Sequence, residues 1–225
     1  MSSKIKITAT DGHKLNAWRS DPSDKVIGGI VILHAIYGLT KHMGDVCDIW
    51  AKQGFSAIAP ALYDRIERNL IHPYGPEGGK AGIETYGTLT RDQILADVGG
   101  CVTALRPGPV AVAGFCTGGS WAWVASQMLE VDASVNFYGS HVHQWLEYTP
   151  NCPTIMHYGD CDRVVPLSGI ENIQTANPGL TVYIYPGADH AFFNPEQDWH
   201  DPEASELALH RSVKFLETCF TGINI

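Results

Sequence analysis

The run Val110 to Gly119, VAVAGFCTGG, places a cysteine between small residues directly after an apolar segment. A cysteine thiolate is a strong nucleophile, and a turn that presents a nucleophile needs small neighbours because two backbone segments approach each other there. Gly114, Gly118 and Gly119 provide them. A helix that begins near Gly118 would direct its first amides toward the thiol of Cys116 and favour the thiolate. The pattern predicts a nucleophile turn, although a turn around an inert buried thiol fits the same residues.

Two later segments carry residue types that can activate this thiol. The strand-like run Thr154–Tyr158 precedes GDCDRVVP at 159–166, and the run Thr181–Tyr185 precedes PGADHAFF at 186–193. A histidine can accept the thiol proton and return a proton to a leaving oxygen, while an aspartate holds its tautomer and stabilises the imidazolium. The order of nucleophile, acid and histidine is that of α/β-hydrolases.

Five short segments together resemble the dienelactone hydrolase family over nearly the whole chain. They are GFCTGG at 114–119, DRVVP at 162–166, GADH at 187–190, IYG at 36–38 and PALY at 60–63. The resemblance implies Cys116 as the nucleophile, His190 as the base and Asp162 as the acid. It also implies a cysteine hydrolase that opens a lactone or small activated ester through an acyl thioester, without a cofactor.

Two other carboxylates lie close to the predicted acid and base. Asp160 is two residues from Asp162 and competes for the same role, but Asp162 stands directly before the RVVP segment, as the family's acid does. Asp160 is expected instead to accept hydrogen bonds within its own loop, as an Asx turn. Asp189 is expected to be a solvated loop carboxylate that points away from the catalytic face of His190.

An oxyanion hole is expected from the amide of Thr117, which follows the nucleophile, and from a second amide on a loop after an early strand. The family resemblance places this second donor at Ile36. In the same loop the chain has Ala35 where the best-known family members carry a glutamate, so His190 alone maintains the reactive thiol or His34 contributes a polar contact.

The predicted substrate-binding residues are Tyr37, Tyr86, Phe192 and Asn194. The three aromatic side chains could line an apolar pocket, and ordinary packing in the core fits them equally well. Asn194 stands where the family has an arginine that binds a substrate carboxylate, and a neutral amide cannot replace a bidentate guanidinium. The departure points to a lactone, enol ester or thioester other than the family's usual substrate.

No metal site is predicted. His141, His143 and His200 lack acidic or cysteine partners at ligand spacing, and the six cysteines show no paired spacing typical of zinc or of a disulfide scaffold. The glycine-rich stretch at 75–82 lacks the Gly-Lys-Ser/Thr ending of a phosphate loop, so it is expected to be a surface loop near the site.

The composition is that of one domain spanning residues 1–225, with 44% hydrophobic and 17% charged residues. The net charge of −9 argues against nucleic acid and anionic membranes as partners. Neither a signal core nor an apolar run that could span a bilayer is recognisable. The expectation is a cytoplasmic monomer or small homo-oligomer that acts on a small-molecule ester. The alternative is a protein whose Cys116 is an oxidisable thiol or ligand-binding site without turnover.

Apolar runs alternate with helical stretches along the chain, which predicts a single-domain α/β-hydrolase fold with a doubly wound, mostly parallel sheet flanked by helices. A hairpin is expected at Ile5–Ala9 and Leu15–Trp18, around Asp11 and Gly12. The other predicted strands are Val26–Leu33, Ser56–Ala59, Val110–Ala113, Ala133–Phe137, Thr154–Tyr158 and Thr181–Tyr185. The predicted helices are at about 42–53, 90–105, 118–129, 166–176 and 203–220.

Overall fold

The computed structural model describes residues 1–222 and contains eight β-strands and six α-helices. The strands form a mostly parallel β-sheet, and strands and helices alternate along most of the chain, so the predicted fold class is confirmed. The chain divides into two compact units, Met1–Val112 and the part from Ala113 onward. The boundary lies within a strand.

The first unit begins with the predicted hairpin. Strand β1 pairs with β2 in antiparallel register, with Ile7 opposite Leu15. The other edge of β2 pairs antiparallel with β4. Strands β3 and β4 are parallel, and all their residues are buried, as expected for strands covered on both faces. The strands are β1 (Ser3–Thr8), β2 (Lys14–Ser20), β3 (Gly28–Leu33) and β4 (Phe55–Pro60).

Three helices belong to the first unit: α1 (Lys41–Lys52), α2 (Pro76–Tyr86) and α3 (Arg91–Leu105). The predicted helices at 42–53 and 90–105 correspond to α1 and α3. Helix α3 begins with a capping box, in which the Thr90 hydroxyl accepts from the Gln93 amide and the Gln93 side chain accepts from the Thr90 amide. These reciprocal bonds satisfy two donors that a helix start would otherwise leave without partners.

Helix α2 corrects the expectation of a surface loop at 75–82. Pro76 occupies the first turn, where a helix needs no N–H from that residue. The glycines inside α2 serve close packing, because a Cβ at Gly78 would lie 1.8 Å from the carbonyl oxygen of Pro73, and one at Gly82 would lie 2.2 Å from that of Ile36. Glycine composition suggested a loop, but tertiary contacts override the low helix propensity of this residue.

The second unit carries the rest of the sheet in the strand order β5, β6, β7, β8. Strands β6, β7 and β8 are parallel to one another, with Phe137 opposite His157 and Gly159 opposite Tyr185. Because carboxyl ends of parallel strands lie at the same edge, the loops after these strands begin side by side. The strands are β5 (Val110–Phe115), β6 (Ala133–Phe137), β7 (Thr154–Gly159) and β8 (Thr181–Tyr185).

The helices of the second unit are α4 (Thr117–Met128), α5 (Leu167–Ala176) and α6 (Pro202–Thr221). Their bounds agree with the predicted helices to within one residue at each end. Helix α6 is capped by Asp201, whose carboxylate accepts from the amide of Ala204 at 3.0 Å, and Pro202 stands in its first turn. It ends at Gly222, which adopts a left-handed conformation with φ 68°.

Candidate active site

Cys116 lies in a strained turn between β5 and α4. Its φ is 54° and its ψ is −121°, a conformation that non-glycine residues rarely adopt and that costs about 1–3 kcal/mol. A Cβ at Gly114 would lie 2.1 Å from the carbonyl oxygen of Gly118, and one at Gly119 would lie 2.9 Å from that of Phe137. The turn therefore requires glycine at these positions, which explains the small residues that flank the cysteine.

Hydrogen bonds from neighbouring elements hold this turn. The amide of Cys116 donates to the carbonyl oxygen of Phe137 at 3.1 Å. The Cys116 carbonyl oxygen accepts from the amides of Ser120, at 3.1 Å, and Ser140, at 3.2 Å. The end of β6 thus supports the backbone of Cys116 from both sides, which offsets the cost of the strained conformation.

His190 and Asp162 form a buried pair on the loops after β8 and β7. His190 Nδ1 lies 2.9 Å from Asp162 Oδ2, and the two side chains are almost fully buried. The other oxygen of Asp162 accepts from the amides of Val164, at 2.7 Å, and Val165, at 2.8 Å. Because these amides orient the carboxylate, Asp162 presents one oxygen to the imidazole and favours the tautomer with its proton on Nδ1.

Asp160 makes its contacts elsewhere. Its Oδ1 accepts from the amide of Gly187 at 2.7 Å, and its own amide donates to the carbonyl oxygen of Tyr185 at 3.1 Å. The expected Asx turn is wrong, since the partner of the carboxylate lies 27 residues away, on the loop of His190. Asp160 therefore joins the two loops, while Asp162 is the carboxylate that contacts the histidine.

Asp189 is not the solvated carboxylate that the sequence suggested. Its side chain is only 13% exposed and forms an ion pair with the guanidinium of Arg163. Its Oδ1 also accepts from the amides of His190, at 2.6 Å, and Arg163, at 3.2 Å. The Arg163 guanidinium lies 5.1 Å from the centre of the Trp199 ring. Arg163, directly after the acid, and Asp189, directly before the histidine, therefore link the two loops. Their opposite charges were the signal in the sequence for this ion pair.

The thiol and the imidazole influence each other's ionisation. Burial acts to raise the pKa of the Cys116 thiol, but the charge on His190 and hydrogen bonds from His190 and Thr117 outweigh it and lower this pKa. Burial likewise acts to lower the pKa of His190, and the Cys116 thiolate together with Asp162 outweighs it and raises this pKa. His190 Nε2, the ring nitrogen that does not contact Asp162, is buried and makes no hydrogen bond of strict geometry to residues 1–222. The two shifts favour a thiolate beside an imidazolium.

Thr117 is the first residue of α4, and the amides of a first helical turn have no partners within the helix. The role of the Thr117 amide as an oxyanion donor stays a prediction. Ile36, the second predicted donor, lies in the first unit, where its carbonyl oxygen accepts from the Tyr63 hydroxyl at 2.7 Å. Its role stays a prediction.

Tyr37, Tyr86 and His34 also lie in the first unit. The Tyr37 ring packs edge-on against Tyr74, at 4.7 Å between centroids. His34 is fully buried between Tyr63 and Tyr86, and burial lowers its pKa to about 4, so its imidazole is neutral at pH 7. Its Nδ1 donates to the carbonyl oxygen of Ala35 at 2.7 Å. Within this unit Tyr86 and His34 are core residues, and the substrate-binding roles of Tyr37 and Tyr86 stay predictions.

Phe192 and Asn194 have structural contacts in the loop after the histidine. The Phe192 side chain is fully buried against Tyr138 and Tyr185. Asn194 is largely buried, and its Oδ1 accepts from the amide of Glu196 at 2.9 Å. These placements favour support of the loop over contact with a substrate.

The histidines considered for metal binding have other neighbours. His141 Nδ1 lies 2.8 Å from the Ser140 hydroxyl, and the His141 ring stacks on Trp145. His143 packs close to Gly169 of α5, and His200 lies in the loop before α6. Among residues 1–222, no group of three or more His, Cys, Asp or Glu side chains is arranged to hold a metal ion.

The fold and the arrangement after β5, β7 and β8 define an α/β-hydrolase. A solved structure from Klebsiella pneumoniae, described as a candidate dienelactone hydrolase, superposes with a TM-score of 0.79 and covers 95% of this chain and 98% of its own. The two sequences are 22% identical.

The sequence model of the dienelactone hydrolase family matches residues 15–220, well over half of the chain. Carboxymethylenebutenolidases from Pseudomonas putida and Pseudomonas knackmussii are each 28% identical to this chain over 225 residues, covering 94% of both sequences. The chain belongs to the dienelactone hydrolase family and is an ester hydrolase. The predicted family and enzyme class are confirmed.

Among the helices of residues 1–222, none combines the length and apolar character that crossing a bilayer requires.

Proposed function

We propose that this enzyme opens a lactone or small activated ester through a thioester on Cys116, with His190 as the base and Asp162 as the orienting acid. The observation that carries the proposal is the buried bond of 2.9 Å between Asp162 and His190, beside a thiol whose pKa the histidine lowers. An inert structural cysteine would have its pKa raised by burial, as Cys47 and Cys101 do.

The first half of the reaction forms the thioester. The Cys116 thiolate attacks the carbonyl carbon, and the negative charge moves to the carbonyl oxygen, where the amide of Thr117 and a second amide, for which Ile36 is the candidate, donate hydrogen bonds. The carbonyl re-forms as the bond to the ester oxygen breaks, and His190 transfers its Nε2 proton to that oxygen. In a lactone this oxygen stays on the acyl chain, so ring opening releases no second product.

The second half regenerates the thiolate. Neutral His190 takes a proton from a water molecule, and the resulting hydroxide adds to the thioester carbonyl. Collapse of this second tetrahedral intermediate breaks the carbon–sulfur bond, releases the acid and leaves a thiolate beside an imidazolium. Asp162 holds the imidazole orientation through both halves and stabilises its charged form.

The proposed substrate class differs from that of the carboxymethylenebutenolidase relatives. The Asn194 side-chain oxygen accepts from the backbone of its own loop. Its amide carries no charge that could pair with a substrate carboxylate. We therefore propose a lactone, enol ester or thioester without a carboxylate at this point. The acidic chain, with a net charge of −9, supports a small molecule rather than nucleic acid as the partner.

We also propose a cytoplasmic enzyme that is a monomer or small homo-oligomer. All six cysteines are free thiols, which is typical of a reducing compartment. Fractionation and size-exclusion chromatography of the natural protein would test these two points.

The function is tested by steady-state hydrolysis of a dienelactone and of p-nitrophenyl acetate, with the native chain, Cys116→Ala and, as control, Ser126→Ala. Ser126 is a buried hydroxyl of α4 that bonds to the carbonyl oxygen of Trp123 at 2.6 Å. Acid quenching with intact-mass analysis should show one added acyl group on the native chain and on Ser126→Ala, and none on Cys116→Ala.

Turnover of p-nitrophenyl acetate with poor turnover of the dienelactone would support the proposed substrate class. Efficient turnover of both would retain the thiol mechanism and overturn the substrate argument. Ester turnover that survives in Cys116→Ala would overturn the nucleophile. A native chain that turns over neither substrate and instead forms a sulfenic acid on Cys116 under mild peroxide would favour the thiol protein without turnover.

A further inference from the structure

We infer that the side chain of Thr117 donates a hydrogen bond to the Cys116 thiolate, and that Ser140 and His141 orient this hydroxyl. The inference concerns the resting thiol and deepens the proposed function, in which Thr117 acts through its backbone amide. It assigns a positioning role to Ser140 and His141.

The contacts form a continuous polar chain that starts at the sulfur. Cys116 Sγ lies 3.8 Å from Thr117 Oγ1, which lies 3.5 Å from Ser140 Oγ. Ser140 Oγ in turn lies 2.8 Å from His141 Nδ1. The contact to sulfur and the contact between the two hydroxyls are long for hydrogen bonds, whereas the contact to His141 is short. The series ends on a ring nitrogen that can either donate or accept.

Backbone hydrogen bonds hold these polar side chains against the nucleophile turn. The Ser140 amide donates to the carbonyl oxygen of Cys116 at 3.2 Å, and the His141 amide donates to the Ser120 hydroxyl at 2.8 Å. The Ser120 hydroxyl also reaches the Cys116 carbonyl oxygen, at 3.4 Å. The His141 ring is further fixed by stacking on Trp145, with centroids 5.2 Å apart and planes 21° apart. Both ends of the chain are therefore fixed to the same turn.

The direction of the hydrogen bonds depends on the charge of the thiol. Each hydroxyl has one proton to donate. If His141 Nδ1 carries a proton, the Ser140 hydroxyl accepts from the ring and donates its own proton to the Thr117 hydroxyl. The Thr117 hydroxyl then donates its proton to the sulfur. This arrangement matches a thiolate, which only accepts. The opposite arrangement, with Nδ1 accepting, matches a neutral thiol that donates to Thr117. The chain thus favours the thiolate when His141 carries a proton on Nδ1.

Other ionisable groups also act on the sulfur. His190 is the neighbour whose charge lowers the thiol pKa, and the Thr117 hydroxyl adds to that effect against burial. Asp162 acts behind His190, and His143 lies near enough to Asp162 to be influenced by its charge. Burial, together with the charge of His143, lowers the pKa of His141 and so disfavours its charged form. The neutral ring carries one proton, and the arrangement that supports the thiolate is the one with this proton on Nδ1.

The test measures the ionisation of the thiol without a substrate. The rate of Cys116 alkylation by iodoacetamide is followed against pH by peptide mass spectrometry, which separates Cys116 from the exposed Cys161. Thr117→Val removes the hydroxyl and keeps the shape, Thr117→Ser keeps a hydroxyl, and Ser140→Ala removes the second link. The control is Ser126→Ala, whose hydroxyl bonds within α4.

Thr117→Val should raise the midpoint of alkylation by about half to one pH unit, which is less than the roughly one to two units expected for a short hydrogen bond to a charged acceptor, because the contact of 3.8 Å is long. Ser140→Ala should raise it by a smaller amount, while Thr117→Ser and Ser126→Ala should keep the native midpoint. A Thr117→Val profile that superimposes on the native one, or a Thr117→Ser profile shifted as far as that of Thr117→Val, would overturn the inference. If Thr117→Val does not fold, an unchanged midpoint of alkylation in Ser140→Ala would overturn the inferred hydroxyl contacts.

A failure here is distinguishable from a failure of the proposed function. Alkylation reports the thiol even in a protein without ester turnover, so an unchanged midpoint with full turnover removes only the hydroxyl chain. A shifted midpoint without turnover of any ester would support the hydroxyl contacts at Thr117 and argue against an enzymatic role of the thiol.

Discussion

Asp162 and Asp160 show how two identical residues, two positions apart, take different contacts. The Asp162 carboxylate faces the His190 imidazole, while the Asp160 carboxylate accepts from the backbone of Gly187. An isosteric amide separates their roles, because asparagine removes the charge with little change in size. The pair therefore supplies its own matched control.

We predict that Asp162→Asn lowers kcat for p-nitrophenyl acetate by about 10²–10⁴-fold, because an amide neither stabilises the imidazolium nor holds the correct tautomer. Asp160→Asn should stay within a few-fold of the native chain, since its amide oxygen can still accept from Gly187. Steady-state kinetics at pH 7 checks both. Loss of activity in Asp160→Asn alone would reverse the assignment of the acid.

The pH dependence of the reaction should follow the ionisation of Cys116 and His190. The pKa of the Cys116 thiol is lowered and the pKa of the His190 imidazole is raised. The ion pair therefore exists at pH values above the thiol pKa and below the imidazole pKa. We predict a plateau of kcat/KM between these two pKa values, with loss on the acid side as the thiolate is protonated and on the alkaline side, near pH 10, as the imidazolium loses its proton.

A His190→Gln variant tests the origin of this profile. Without the imidazolium, burial is left as the main influence and should raise the midpoint of Cys116 alkylation above that of the native chain. A midpoint that stays the same or falls would contradict the ion pair. The alkylation rate of Cys161 in the same samples serves as the internal control.

At the scale of elements, the parallel pairing of β7 and β8 brings the acid and the base together. Gly159 is opposite Tyr185 at the end of the paired strands, and each loop continues from that point. The loops are then joined by the Asp160 carboxylate with Gly187, by the Cys161 amide with the Ala188 carbonyl oxygen, and by Asp189 with Arg163. These links restrict the distance between Asp162 and His190.

We predict that Asp189→Ala lowers kcat by about tenfold with little change in KM, because the loop of His190 loses its side-chain link to the loop of Asp162 and small misplacements of a base are costly. Asp189→Asn should lose less, since its amide oxygen still accepts from both backbone amides. Asp198→Asn, an exposed carboxylate of the same loop, should match the native chain.

A double-mutant cycle with Arg163→Ala checks the mechanism of this effect. If Arg163 acts through Asp189, its substitution should add little to Asp189→Ala. Fully additive losses, or a tenfold rise in KM with unchanged kcat, would show that the two side chains do not act together in placing His190.

At the scale of the whole molecule, the first unit contains a buried ion pair between Arg65 and Asp97. Arg65, after β4, forms two bonds of 2.9 Å with the Asp97 carboxylate of α3 and an ion pair of 2.8 Å with Asp11. The Asp97 side chain is fully buried, and burial raises its pKa to about 6 against the opposing effect of Arg65. Asp97 therefore depends on Arg65 to remain charged at neutral pH.

We predict that Arg65→Ala lowers the free energy of unfolding by about 3–5 kcal/mol at pH 7, the usual cost of leaving a buried charge without its partner. Arg19→Ala, which breaks the more exposed pair with Asp21, should cost less than about 1 kcal/mol. Urea unfolding followed by circular dichroism measures both.

The deficit of Arg65→Ala should shrink at pH 5, because a protonated Asp97 needs no positive partner. A deficit that is the same at pH 5 and pH 7 would assign the cost to lost packing instead of charge. A smaller deficit at pH 5 would assign the cost to the buried charge of Asp97.

The sequence by itself determined the family, the alternation of strands and helices, and the three residue types of the predicted triad. These features are local: apolar periodicity marks each strand and helix, and the glycines around Cys116 report a turn that no larger residue can occupy. Short motifs in the correct order were therefore sufficient to predict an α/β-hydrolase before any distance was known.

Only the tertiary structure decided which side chains meet. The bond between Asp162 and His190, whose acid the family resemblance had already implied, the link through Asp189 and the hydroxyl contacts at Thr117 all depend on residues far apart in the sequence. The register of β7 on β8 and the packing of β6 against the nucleophile turn set these contacts, and a local pattern does not encode them. For the same reason the glycines at 78 and 82 suggested a loop, although their close approach to neighbouring carbonyl groups is what allows α2 to pack.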